Sequence, residues 1–230
     1  PFRLVEFPIG VFGVSFGAAA LARVSQLNVE KRWDEIDQSI RKSLLQVFAI
    51  NLPAAAGLAA LSVPIIEMLF EHGRFTHDDT VATAWALGMY SLGLGSYSAV
   101  KVLVPACYAL GQTRVAVLSS LLSVGFTLAF NTVAVSQLGY RGLALGTSLA
   151  ALLNQIFLMV VLRRHLRSHG VAAVGGFTGR LLRMILVSLA MGGAVFAAYW
   201  YGWREFPWGE LPQVALLPAR IFGVGILVAG

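Results

Sequence analysis

With 230 residues, 57% of them hydrophobic and only 12% charged, and a mean hydropathy of +0.75, the chain is not an ordinary soluble domain, which carries about 25% charged residues. A net charge of +6 and a pI of 9.9 fit a nucleic-acid binder on paper, but basic excess also marks membrane proteins, whose Lys and Arg collect in cytoplasmic loops. The hydropathy decides for a polytopic membrane protein, and the lone Cys107 excludes an intrachain disulfide framework or a Cys-based metal site.

Seven hydrophobic segments follow in chain order, at 4–24, 44–70, 80–110, 114–137, 142–163, 180–202 and 213–230. Each approaches the roughly 20 residues needed to cross about 30 Å of hydrocarbon. The second and third exceed one span, and Pro53, Pro64 and Pro105 are their natural kink sites. The first begins with a charged pair and has no basic n-region or cleavage site, unlike a signal peptide. The last is still apolar at "RIFGVGILVAG". Both ends read as cut, so the expectation is a piece of a longer protein.

On a helix wheel Arg3, Glu6, Gly10, Gly13 and Gly17 fall within about 80° of one another. Two readings stay open. Arg3 and Glu6 form a structural ion pair above a GxxxG packing stripe, or they line a cavity in which the arginine meets an anion. Ionisable groups at membrane depth are costly and usually face a polar cavity or a partner.

The 23–42 connection holds Arg23, Lys31, Arg32, Arg41 and Lys42, and 163–183 holds Arg163, Arg164, Arg167, Arg180 and Arg183. The connections at 71–79, 138–141 and 203–212 hold one basic residue each. Placing 23–42, 111–114 and 163–183 in the cytoplasm makes the alternation consistent. Trp33, Ile36 and Ile40 have helical spacing, which predicts an amphipathic interfacial helix within 23–42.

In the third segment Tyr90, Tyr97, Lys101 and Tyr108 cluster within about 40° on the wheel. Lys101 sits too deep to reach the interface easily. A face of hydroxyls and an ammonium predicts a hydrated lumen; the alternative is that the tyrosines pack and Lys101 meets backbone carbonyls at the Pro105 break. Asn51, Asn131, Asn154 and Gln155 read as interhelical hydrogen-bonding groups. Glu67 and Glu71 read as interfacial. Arg220 can snorkel, pair or meet a lipid headgroup. His165 and His169 are spaced i, i+4, but the region has no carboxylate or Cys to complete a metal site. There is no P-loop, nucleophile elbow or HExxH. "LRSHGVAAVGGFT" over 166–178 reads as a linker.

"RLVEFPIGVFGVSFGAAALARVSQ" resembles the eighth transmembrane segment of the MurJ/MviN lipid II flippases. "LFEHGRFTHDDTVATAWAL", "YSLGLGSYSAVKVLVPACYALGQTRV" and "GYRGLALGTSLAALLNQIFLMVVLRR" are similar to later motifs of that family, in the right order. The likeness is dense over 3–164 and fades after about 165. It implies an all-α protein of about seven transmembrane helices, corresponding to helices 8–14 of a fourteen-helix flippase. Residues 1–164 would form the C-terminal lobe of the transport core, 165–179 a cytoplasmic linker, and 180–230 two extra helices.

The function implied is flipping lipid II, the undecaprenyl-pyrophosphate-linked peptidoglycan precursor, across the bacterial inner membrane by alternating access. No cofactor, metal or nucleic acid is implied. The partners would be lipid II, membrane lipids and the missing N-terminal half. Arg3 matches the family arginine thought to meet the pyrophosphate, Glu6 a nearby carboxylate and Lys101 the lysine of the KVLxP motif. Tyr97 and Arg220 complete the expected substrate-binding set.

There are departures from the pattern. Phe2 stands where some members have Asp, "LARVSQ" replaces LPxLS, and Val115-Ala116 replaces TP. Some members bind sodium through an acid one turn beyond a helix-11 asparagine. Here Asn131 is followed by Val135, so that site is not carried over. Other readings are an exporter of another lipid-linked oligosaccharide or drug, a non-transporting scaffold, and a membrane-embedded transferase. The last is disfavoured because no paired-carboxylate or His constellation is present.

Overall fold

The computed structural model describes residues 2–71, 75–138, 140–171 and 177–205. Apart from the short turns between them, those residues form helices: α1 (Phe2–Pro8), a π-turn (Ile9–Gly13), α2 (Val14–Val29), α3 (Trp33–Ala60), α4 (Ser62–Phe70), α5 (His77–Ala109), α6 (Thr113–Leu138), α7 (Tyr140–Ser168) and α8 (Phe177–Glu205). Five stretches are long and apolar enough to cross a membrane: Leu4–Val29, Trp33–Ala60, Thr113–Val135, Gly142–Ser168 and Phe177–Tyr201. With 33 residues, α5 is about 50 Å long, but it exchanges apolarity for Gly, Ser and Tyr where neighbours press on it. Six of the seven expected segments thus coincide with helices. The seventh, 213–230, lies outside the described residues.

The second segment differs from expectation. There is no separate interfacial helix in the 23–42 connection. Trp33 opens α3, which runs unbroken to Ala60. The reason is a continuous stripe: Ile36, Ile40, Leu44, Val47, Phe48 and Asn51 are all buried on one face, so the same helical period carries from the connection into the membrane. Asp34 and Glu35 in the first turn complement the helix dipole. Pro53 and Pro105 sit inside continuous helices. The chain breaks instead at Leu61, which puts Pro64 in the first turn of α4, where its missing N–H leaves no bond unmade.

The central element is α5. It packs on α7, α3 and α2, while α6 packs on α7 and α8 on α3. One core cluster joins α2, α3, α5 and α7 around Val24, Leu27, Ile36, Val102, Leu103 and Leu158. A second, smaller cluster holds Val5, Ile9, Ile66, Ala84, Leu87 and Leu94. The outer helices expose large apolar side chains such as Leu121, Leu128, Leu186 and Leu189, as surfaces in contact with hydrocarbon do.

The two basic connections and the 111–114 turn that alternation places with them meet at one end of the bundle. Trp33 stacks on His169 with ring centroids 3.9 Å apart and meets His165 edge-on at 6.2 Å. Gln112 Nε2 lies 3.3 Å from His165 Nδ1, and Asn28 Nδ2 donates to the Ala109 carbonyl at 3.0 Å. At this end α2, α5 and α7 all finish with one closing motif. Arg32 N–H donates to Leu27 O, Gln112 N–H to Cys107 O and Val171 N–H to Leu166 O. That motif requires a left-handed residue, here Lys31, Gly111 and Gly170, with φ of 54°, 70° and 86°.

Left-handed backbone costs a non-glycine residue about 1–2 kcal/mol. Gly111→Ala should therefore lower the thermal unfolding midpoint, and Lys31→Gly should leave it unchanged or raise it. A fall in the Lys31→Gly variant would contradict the motif.

Candidate functional site

A groove of roughly 520 Å³ opens where α1 and α6 part above α5 and α7. Three of the expected substrate-binding residues line it: Glu6 from α1, and Tyr97 and Lys101, one turn apart on α5. Lys101 is exposed, as is Glu6. Among the described residues no ion pair joins the two. The lysine face predicted to border a lumen is thus open, in the company of a carboxylate. Tyr90 and Tyr97 both pack against the smaller core cluster, but only Tyr97 also lines the groove; Tyr108 lies exposed elsewhere on α5. Arg3 stands on α1, three residues before Glu6, but its side chain lies outside the described residues, as does Arg220.

The groove has polar members that sequence reading did not single out. Ser123 and Thr127 reach it from α6, and Thr147 and Asn154 from α7. Thr127 Oγ1 donates to Ser123 O at 2.8 Å and Thr147 Oγ1 to Ala144 O at 2.9 Å. These hydroxyls are satisfied within their own helices yet keep acceptor capacity toward the groove. Asn154 Oδ1 is buried and has no hydrogen-bond partner among the described residues. Asn154 was expected to bridge helices, but that oxygen does not. The i, i+4 spacing of Ser123 and Thr127 is the signal that was available.

Glu6 reaches the groove because of the π-turn. Val14 N–H donates to Ile9 O, five residues back, directly after Pro8, which has no N–H to give. A π-turn winds more loosely than 3.6 residues per turn, and such turns recur at functional sites. Val5, Ile9, Gly13 and Gly17 are all buried. At 100° per residue that four-residue spacing drifts by about 120° over its three steps, and the looser π-turn narrows the drift. The expected single face of Arg3, Glu6, Gly10, Gly13 and Gly17 is therefore corrected. Glu6 and Gly10 line the groove, whereas Gly13 and Gly17 press against α5.

That contact is close. A Cβ on Gly13 would meet Ser98 Cα at 3.5 Å and Lys101 Cβ at 3.6 Å, and a Cβ on Gly17 would collide with the Lys101 carbonyl oxygen. Gly10 has nothing within 4 Å. On the other side of α5, a Cβ on Gly93 would stand 2.7 Å from the Tyr97 ring and 2.8 Å from Ser148 Oγ. Ser148 Oγ itself donates to Met89 O at 2.8 Å. Small residues thus hold α5 between α2 and α7, as in membrane helix packing generally.

An all-helical bundle with five spans long and apolar enough to cross a membrane and large apolar side chains on its outer helices is, among the described residues, a multi-pass membrane protein. The family model described as "Lipid II flippase MurJ" matches residues 2–228. A "Probable lipid II flippase MurJ" of Vibrio cholerae is 31% identical over 234 residues, covering 97% of this chain and 42% of that protein. One of Bdellovibrio bacteriovorus is 34% identical over 163 residues, covering 71% and 31%. A solved "Lipid II flippase MurJ, inward closed conformation" superposes with a TM-score of 0.74 at 24% identity, over 98% of this chain and 43% of that one. The last likeness concerns the fold. The chain belongs to the lipid II flippase MurJ family, and it spans less than half the length of these relatives.

Overpacking a close helix contact costs about 1–3 kcal/mol. Gly17→Ala should lower the unfolding midpoint in detergent, whereas Gly10→Ala should leave it in place. Equal losses in both variants would restore the single glycine face.

Proposed function

We propose that this chain is the C-terminal part of a transporter that flips lipid II, undecaprenyl-pyrophosphate-linked peptidoglycan precursor, from the cytoplasmic to the periplasmic leaflet by alternating access. The observation that carries the reading is the groove shared by Glu6, Tyr97 and Lys101 in a chain of this family. On this reading residues 1–164 form the lobe of the transport core, residues 165–179, which take in the end of α7 and the start of α8, the link, and residues 180–230 an extra helix pair. Arg220 in that segment is assigned to the substrate from its place in an apolar segment of the sequence alone. The work is translocation, with no bond made or broken.

The physical problem is the pyrophosphate. Carrying a bare anion through hydrocarbon is prohibitive, so its charge must be met inside a hydrated, protein-lined path. Arg3 suits this role because a guanidinium stays protonated and its planar fork donates two hydrogen bonds to phosphate oxygens. Lys101 adds a second positive charge across the groove, without that fork. Glu6 balances the cations while the groove is empty and yields when phosphate arrives. Tyr97 and the α6 and α7 hydroxyls offer neutral hydrogen bonds to the sugar part. Rocking of the two halves of the complete transporter would then expose the path to alternate sides.

In the full-length protein, Arg3→Ala should abolish lipid II translocation while leaving the bundle folded. Arg3→Lys should restore it only in part, Lys101→Ala should weaken it, and Glu6→Gln should be milder. Normal translocation by a folded Arg3→Ala protein would overturn the proposal. If Arg3 and Glu6 merely cement packing, removing either leaves an uncompensated buried charge, with a loss of about 3–5 kcal/mol in stability for both.

The orientation has its own test. With Cys107 replaced by alanine, single cysteines at Asn28 and Asp78 should react with an impermeant thiol reagent from opposite sides of the membrane, Asp78 from the periplasm. Labelling from one side would refute the charge-based topology.

A further inference from the structure

A second cleft lies between α3 and α8, away from the groove. The two helices run parallel. They touch far along their length, where a Cβ on Gly192 would stand 3.0 Å from Ala56 Cβ. Toward their N-termini, at the end where α2, α5 and α7 close, they part and enclose about 780 Å³. The lining changes character along the α3 axis. Asp34, Asp37 and Gln38 stand outermost, then Arg41 and Lys42 with Arg180 facing from α8, then Leu45, Ala49 and Met184 with one amide, Gln46, among them. One helical turn, about 6 Å of rise, separates Asp37 from Arg41.

We propose that this cleft binds a phospholipid bearing a primary amine, of the phosphatidylethanolamine type. The phosphate sits among Arg41, Lys42 and Arg180, the ammonium points outward to the Asp34 and Asp37 carboxylates, and an acyl chain runs inward along Leu45, Ala49 and Met184. The order carboxylate, cation, apolar surface along α3 mirrors the order amine, phosphate, hydrocarbon in the lipid. Three cations and two carboxylates give the lining both signs of charge, so the phosphate and the ammonium of one zwitterionic headgroup each meet an opposite charge. An anionic lipid would find the phosphate ligands but meet two acids at the mouth. A choline headgroup offers the same phosphate, but its quaternary nitrogen has no N–H for the carboxylates, whereas an ammonium donates three.

The cleft is built rather than incidental. Asp37 is 7% exposed and binds Arg41 through Nε at 2.5 Å, which fixes the guanidinium in the wall. Arg163 lies over the ring of Phe177, 5.7 Å from its centroid, and Phe177 closes the cleft from α8. Basic pockets between helices at the cytoplasmic surface are a recurring way to hold lipid headgroups. A membrane lipid is favoured over a soluble phosphate compound because the deep end is mostly apolar and the flank of α8 beside it exposes Leu182 and Leu186.

The test uses the full-length protein in micelles with phosphatidylethanolamine, phosphatidylcholine or phosphatidylglycerol of identical acyl chains. Retained lipid is counted by native mass spectrometry. Phosphatidylethanolamine should be retained at least about threefold better than either other lipid. The double change Lys42→Ala and Arg180→Ala should remove that retention. Asp34→Asn should lower phosphatidylethanolamine toward the phosphatidylcholine level while leaving phosphatidylcholine unaffected. The comparison of lipids on the unaltered protein depends on no variant folding. Equal retention of the ethanolamine and choline lipids would overturn the proposal, as would a preference for phosphatidylglycerol, which marks a simple anion site. Displacement of the lipid by free phosphoethanolamine would overturn it in favour of a soluble ligand.

Discussion

The contact on which the groove depends is the approach of α2 to the backbone of α5 at Lys101. Apolar side chains gain little from meeting one another in a bilayer, because lipid tails are just as apolar. Helices there are held by close van der Waals contact, which needs small residues. Gly13 and Gly17 supply it, and the Lys101 carbonyl fills the space a methyl group at Gly17 would take. The contact sets where Lys101 leaves α5. It also fixes the lower half of the first span, so that the upper half is placed by whatever lies between them.

What lies between them is the π-turn, and it decides which face Glu6 presents. A wheel drawn at a constant 100° per residue puts Glu6 above Gly13 and Gly17 on the buried face. In the structure Glu6 is exposed and Val5 is buried. The signal was present in the chain: Val5, Ile9, Gly13 and Gly17 are spaced by four, and an α-helix does not keep a strict four-residue stripe on one face over three turns. Reading small and charged residues together, rather than following the apolar spacing, hid it. Pro8 explains why the loosening falls where it does, since it removes a donor at the turn's entry.

Other parts of the architecture were legible for plain reasons. The spans follow from hydropathy, and the grouping of three connections at one end follows from the basic residues of two of them and the alternation of spans, and is realised by Trp33, Gln112 and the two histidines. The continuity of α3 was less visible, because charges in its first turns look like a loop until the buried stripe from Ile36 to Asn51 is traced through them. The groove's serines and threonines were not legible as a site. Such residues are common in membrane helices, where they bond back to their own carbonyls, so only the assembled helices show which of them share a cavity.

The distribution of fixed contacts bears on how a bundle of this kind can move. At one end α2, α5 and α7 are each closed by the same hydrogen-bonded motif, and Arg32 bridges Glu30 and Glu35 across the α2–α3 turn. Away from that end the helices carry their irregularities: the π-turn below Glu6 and the break of α3 at Leu61. Both lie beside the smaller core cluster, which joins α1, α4 and α5. A π-turn holds a helix together with fewer well-placed bonds, so it costs less to rewind than an α-helical turn. Rewinding it would swing Glu6 and Arg3 about the helix axis while Gly17 stays seated on α5. Under the proposed function, that motion would change which charges face the groove without pulling the bundle apart, and it makes the first span the natural place for substrate and conformation to be coupled.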